Sequence, residues 1–230
     1  MKLDNKRTIL TGFAFLSICA FWQMYNSIVP LILTNTFHLN ETYSGAIMAA
    51  DNVLALFLLP LFGAISDKTH TKIGKRMPFI LFGTGLAIIL MNLLPLIDNS
   101  YAAAPTTFKT VSFVVVLGLL LVAMGTYRSP AVALMPDITP KPLRSKGNAI
   151  INLMGALGGV IYLGVAAVMY PNSKVEGLAH VNYQPLFMVV SAIMFVAIAV
   201  LFLTIKEPKL VAEQLSLIHI SEPTRLGMIS

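Results

Sequence analysis

Six runs of apolar residues, each long enough to cross a bilayer, dominate this 230-residue sequence. They lie near residues 8–36, 43–65, 78–97, 110–136, 148–170 and 185–205. A helix rises about 1.5 Å per residue, so about 20 residues cross the hydrocarbon core. No helix facing water sustains such runs without a polar stripe. Charged residues make up only 11% of the chain, well below the share in a soluble domain. Lipid offers the backbone no hydrogen-bond partner, so each run must satisfy its own amides as a helix. The sequence therefore predicts an all-α integral membrane protein with six transmembrane helices. The first run also excludes a cleaved secretory signal, whose apolar core spans only about 7–15 residues.

Basic residues are distributed unevenly between the two faces. With the N-terminus inside, Lys2, Lys6, Arg7, Lys68, Lys72, Lys75, Arg76, Lys141, Arg144, Lys146, Lys206 and Lys209 fall on the cytoplasmic side. Only Lys109 and Lys174 fall outside. That asymmetry predicts a multi-pass protein of the plasma or inner membrane with both termini cytoplasmic. It also accounts for the net charge of +6, which is low for a nucleic-acid binder. Cys19 is the sole cysteine, so no intrachain disulfide forms.

The loop between the second and third runs is densely charged. Gly63 to Phe79 reads GAISDKTHTKIGKRMPF, with the spacing Gly-x3-Asp-x6-Gly-Lys-Arg-x-Pro-Phe. Gly63 removes a side chain where helices approach closely, and Asp67 closes the second helix. Gly74, Lys75 and Arg76 lead into Pro78, which suits the first turn of the third helix. A second block, Tyr127 to Gly159, reads YRSPAVALMPDITPKPLRSKGNAIINLMGALGG and passes Asp137 between the fourth and fifth spans. Together the two blocks resemble the sucrose-type proton symporters and the glycoside–pentoside–hexuronide cation symporters of the major facilitator superfamily. The resemblance covers residues 8–209.

It implies a twelve-helix fold of which this chain holds the N-terminal six-helix half, over residues 1–209. Residues 210–214 would then begin the central cytoplasmic linker. It further implies a sugar substrate, a coupling cation, a C-terminal six-helix partner half, and no cofactor, metal or enzymatic activity. Gly63, Asp67, Gly74, Lys75, Arg76 and Asp137 would form the cytoplasmic gating motif. In that family the aspartate corresponding to Asp67 also contacts the other half, so Asp67 is expected to lack some of its partners here. One position departs from the pattern. An arginine associated with substrate binding stands five residues before the aspartate of the fourth loop, where this chain has Val132. The nearest basic residue is Arg128, one turn earlier on the same face.

Asp51 and Arg128 are the only charged residues expected inside the spans. Each costs about 2.5–3.5 kcal/mol near the middle of an isolated helix, so each should face a cavity or a partner. Asp51 is the candidate proton-coupling group. With Asn52 beside it, it equally suits a hydrogen-bonded cross-link between helices. Counted along their helices the two charges differ in depth by about 14 Å, which argues against a direct salt bridge. Gln23, Asn26, Asn52, Tyr127 and Arg128 are the candidate substrate contacts, since amides both donate to and accept from sugar hydroxyls. Trp22 and Tyr25 read as lipid-facing or interfacial anchors. Gly155 and Gly159 read as a close-packing pair.

The histidines His38, His70, His180 and His219 fall outside the predicted spans, and no two form a helical metal pair. Competing readings are a sodium-coupled glycoside symporter, an efflux antiporter of the same superfamily, and a membrane receptor or scaffold subunit. Residues 215–230, which contain SLIHISEPTR, resemble translated sequencing-adapter read-through and are expected to be non-native.

Overall fold

The computed structural model describes residues 4–178, 180–213 and 216. The tail expected to be non-native lies outside the described residues, apart from Ser216. Six long helices form where the apolar runs predict them: α1 (Asn5–Leu31), α2 (Glu41–Lys68), α3 (Met77–Ala103), α4 (Thr107–Ile138), α5 (Arg144–Met169) and α7 (Gln184–Thr204). A single turn, α6 (Asn172–Val175), lies in the connection between α5 and α7. Asp4 caps α1 by accepting from the Arg7 amide, and Asn40 caps α2 through Thr42. Pro78 sits in the first turn of α3, as its fixed φ favours. Beyond Pro30, α1 widens into a π-helical turn, Ile32–Thr36.

The bundle is organised around α1, which packs on α5 and α7, while α4 packs on α2 and α3. Hydroxyls inside the spans turn back on their own helices. Ser17, Ser27, Thr126 and Ser191 each donate to a carbonyl three or four residues earlier. Two side chains tie helices together: Asn92 donates to Ser191 Oγ (2.6 Å), and Ser129 donates to the Leu59 carbonyl (2.7 Å). In contrast, α2 buries only Ser44 and Ser66 and leaves Val53, Leu56, Phe57 and Leu61 exposed.

The α1–α5 seam corrects one expectation. A Cβ at Gly158 would overlap the Leu16 carbonyl, and one at Gly155 would press on Cys19 Sγ. Gly159 faces open space, so the close-packing pair is Gly155 and Gly158. Helical geometry explains the switch. Residues three and four apart both flank one face, and the seam here follows the i+3 row. The prediction is that Gly158→Val lowers the thermal unfolding midpoint in lipid nanodiscs, by a loss of about 2 kcal/mol or more. Gly159→Val should leave the midpoint unchanged.

Candidate functional site

The two sequence blocks meet at the end of the bundle that carries the basic hairpins. Arg76, 4% exposed, lies at their centre. Its Nη2 donates to Asp67 Oδ1 of α2 (2.5 Å) and its Nε to Asp137 Oδ2 of α4 (3.0 Å). Its Nη1 donates to Ser66 Oγ and to the Gly63 carbonyl. Lys75 Nζ joins the same carboxylates, 3.1 Å from Asp137 Oδ2 and 3.4 Å from Asp67 Oδ1. The planar guanidinium fork lets one side chain hold two helices at once. Gly63 matters here because a Cβ would come to 3.2 Å from Ser129 Oγ at the α2–α4 contact. Asp67 keeps 56% of its side chain exposed, and its ion pairs among the described residues run through Oδ1.

Sequence reasoning missed the group on the other side of the loop. Glu207, just beyond α7 and 1% exposed, accepts from the backbone amides of Lys75 (2.9 Å), Arg76 (3.0 Å) and Met77 (3.0 Å). These amides open α3, whose first turn has no partners within its own helix. A carboxylate there is favoured by the helix dipole as well. Gly74 has φ +116°, and a Cβ on it would fall on the Glu207 carboxylate. Glycine at this point of the motif is therefore required twice, for backbone conformation and for space. The only signal in the sequence was a lone acidic residue between Lys206 and Lys209, directly after the last span.

The expected membrane-embedded candidates occupy different places. Asp51 and Arg128 line one small cavity with Trp22, Leu58 and Gly125, of about 20 Å³. That is room for one water and far too little for a sugar ring. No ion pair joins them among the described residues. They share a cavity because a helical side chain leans toward its own N-terminus, which carries Arg128 toward the level of Asp51. The Arg128 guanidinium lies 5.5 Å from the centre of the Trp22 ring.

Trp22 and Tyr25 are therefore not lipid anchors. Trp22 packs edge-on against Phe21 and Tyr25, and Tyr25 is 1% exposed. Tyr127 is likewise no substrate contact in this conformation. It is fully buried, and its hydroxyl bonds Ser17 Oγ and the Ala14 carbonyl, strutting α4 against α1. Asn26 and Asn52 are exposed on α1 and α2, and Gln23 is half-buried. Val132, Arg144, Asn148 and Asn152 line a larger cleft of about 530 Å³ between α1, α4 and α5. Arg144 is committed there to the Pro136 and Thr139 carbonyls.

A charged residue inside a span was also missed. The helix α3 continues to Ala103, past the predicted end at residue 97, and so encloses Asp98. Asp98 is 0% exposed. Asp51 and Arg128 are thus not alone. The span was cut short in prediction because its apolar run stops at Asp98, whereas the helix ends where backbone bonding ends.

Comparison with known proteins accords with this geometry. The Major Facilitator Superfamily profile matches residues 11–218, and the chain belongs to that superfamily. It is 28% identical over 160 residues to the sucrose transport protein SUC3 of Arabidopsis thaliana, which covers 64% of this chain and 26% of that protein. It is 31% identical over 123 residues to the sucrose transport protein SUT3 of Oryza sativa subsp. japonica (47% and 24% coverage). It is 26% identical over 180 residues to the alpha-ketoglutarate permease of Escherichia coli K12 (76% and 37%). The chain therefore spans only about a quarter to two fifths of the length of these relatives.

The clamp yields a prediction. Glu207→Ala strips a buried carboxylate from three amides and should cost about 2–3 kcal/mol. Gly74→Ala should lower the thermal midpoint in the same direction. Combining the two should cost less than the sum of the single losses, because both act on one contact. Thermal unfolding of the four proteins in nanodiscs measures this.

Proposed function

We propose that these six helices are the N-terminal half of a twelve-helix sugar:cation symporter that imports a glycoside or disaccharide, driven by protons. The observation that carries this reading is the clamp. Arg76, buried between Asp67 and Asp137, joins the two blocks whose spacing resembles sucrose-type symporters. Similarity to sucrose transport proteins supports the sugar class. In this reading residues 1–209 form the bundle, 210–214 begin the linker, and 215–230 are not native.

The basic end faces the cytoplasm of a plasma or inner membrane, and the clamp acts as its gate. Alternating access comes from the two halves rocking about a site near the midplane. The open apolar face of α2 and the exposed amides of Asn26 and Asn52 suit that site, with Gln23 beside them. Asp51 is the coupling group, and Arg128 adjoins it across the small cavity. Gly63, Gly74 and Lys75 complete the gate with Asp67, Arg76 and Asp137.

A dicarboxylate cargo is the second reading. Arg128 is a cation inside the membrane with no ion-pair partner among the described residues, and one relative is an alpha-ketoglutarate permease. Uptake into proteoliposomes by the full-length protein that contains this segment decides between them. Labelled sucrose should accumulate under an inward proton gradient and stop accumulating when a protonophore is added. Accumulation driven by sodium alone would replace the proton with sodium, and uptake of dicarboxylate in place of sugar would favour the second reading. Asp51→Asn should abolish gradient-driven accumulation while sparing sugar exchange. Unchanged accumulation would remove Asp51 from coupling. The 230-residue chain alone should not transport, and uptake by it would contradict the half-carrier reading.

A further inference from the structure

Opposite the basic end, three elements converge on the buried Asp98. They are the π-helical turn that ends α1, the end of α3, and the connection from α6 to α7. Among the described residues neither oxygen of the Asp98 carboxyl accepts a well-formed hydrogen bond, and the polar side chains that face it are the Thr36 hydroxyl and His180. Oδ2 lies 3.9 Å from His180 Nε2, and the imidazole is about a quarter exposed. His180 is held from both sides. Nε2 is 2.9 Å from Asn99 Oδ1, and Nδ1 is 3.4 Å from Thr36 Oγ1. Asn99 donates in turn to Asn182 Oδ1 (2.8 Å), whose carbonyl oxygen accepts from the Tyr170 hydroxyl (2.7 Å).

This arrangement suits both charge states of the imidazole. When neutral, the ring donates from Nε2 to Asn99 and accepts the Thr36 hydroxyl at Nδ1. When protonated, Nδ1 donates to the Thr36 oxygen instead, and the positive ring faces Asp98. The carboxyl has no such flexibility. Ionised beside a neutral ring, it would be a buried charge with no cation against it and only the Thr36 hydroxyl to turn toward it, which is disfavoured. A single proton on the pair removes that penalty, whichever partner carries it.

Among the described residues no permanent cation substitutes for that proton. Lys109 of α4 is committed to the Ser100 and Ala104 carbonyls, 2.8 Å from each. The other titratable groups nearby are Tyr101 on α3, Tyr162 on α5, and Tyr170 and Tyr183 flanking the connection. Burial pushes the Tyr170 and Tyr183 phenols up, so they stay neutral. His38, beyond the π turn, is exposed.

We propose that Asp98 and His180 form a proton-binding site that closes the end of the bundle opposite the clamp. The proton enters from water through the partly exposed imidazole of His180 and resides either on the ring, at Nδ1, or on the Asp98 carboxyl. With it bound the pair is neutral overall. Without it the pair carries one negative charge, and the seam between α1, α3 and the connection must open to hydrate Asp98. In the orientation proposed above this end faces outward, but the site does not depend on the cargo being a sugar.

The test uses the chain in lipid nanodiscs, with neither substrate nor transport, so its outcome is independent of the symporter reading. Nitrogen NMR of labelled histidines follows His180 through a pH titration, assigned by its loss in His180→Gln. Infrared spectroscopy follows the protonated carboxyl. In Asp98→Asn, His180 should bind its proton about tenfold or more weakly. In His180→Gln, the protonated-carboxyl band of Asp98 should grow at neutral pH, because the acid must hold the proton alone. In the unsubstituted chain, raising the pH should remove one proton from the pair in a single step. A His180 titration unmoved in Asp98→Asn would overturn the proposal. So would an Asp98 band in the unsubstituted chain that persists at every pH beside a neutral His180, an outcome that requires no variant to fold.

Discussion

The buried guanidinium of Arg76 is the contact on which the basic end of this bundle depends. A desolvated cation costs several kcal/mol unless its partners are all in place. Four donor directions are used here, toward Asp137, Asp67, Ser66 and the Gly63 carbonyl. The backbone on either side of Arg76 is fixed separately, by Glu207 from the far end of the chain. One loop thus pins α2, α4, α3 and the end of α7. Losing both Asp67 and Asp137 would leave the buried guanidinium without a counter-charge, so the two helices are coupled through one side chain.

The fold was legible because lipid imposes one rule on every span. With no water in the core, the backbone must be helical wherever the chain is apolar, and length alone then locates the helices. The basic residues of the hairpins were equally visible, since their position depends on composition rather than on packing. Glu207 was not visible. Nothing in a single acidic residue after α7 says that it folds back 130 positions to the start of α3. Asp98 was lost for a different reason. Hydropathy marks the end of an apolar run, while the helix ends where its hydrogen bonds end, six residues later.

Tyr127 and Gly158 show the limit of reading faces from spacing. Tyr127 lies next to Arg128, and both were candidate substrate contacts. Successive helical positions nevertheless point about 100° apart. The tyrosine turns to α1 and satisfies its hydroxyl on Ser17 and Ala14, while the arginine turns to Trp22. Gly155 likewise belongs to a packing seam, but its partner is Gly158, because the α1 backbone crosses at Leu16. Such choices are made by the neighbouring helix and carry no local signature.

The two ends of the bundle are built on opposite electrostatic plans. At the basic end three carboxylates, Asp67, Asp137 and Glu207, meet two cations, Lys75 and Arg76, and the excess negative charge is absorbed by the N-terminus of α3. Every cation there is a lysine or an arginine, whose charge persists through the physiological range. At the opposite end a single carboxylate meets a single imidazole, the one side chain whose charge ordinarily changes within that range. The cations of the clamp thus keep their charge across that range, while the proposed site at the other end turns on a side chain whose charge ordinarily changes within it.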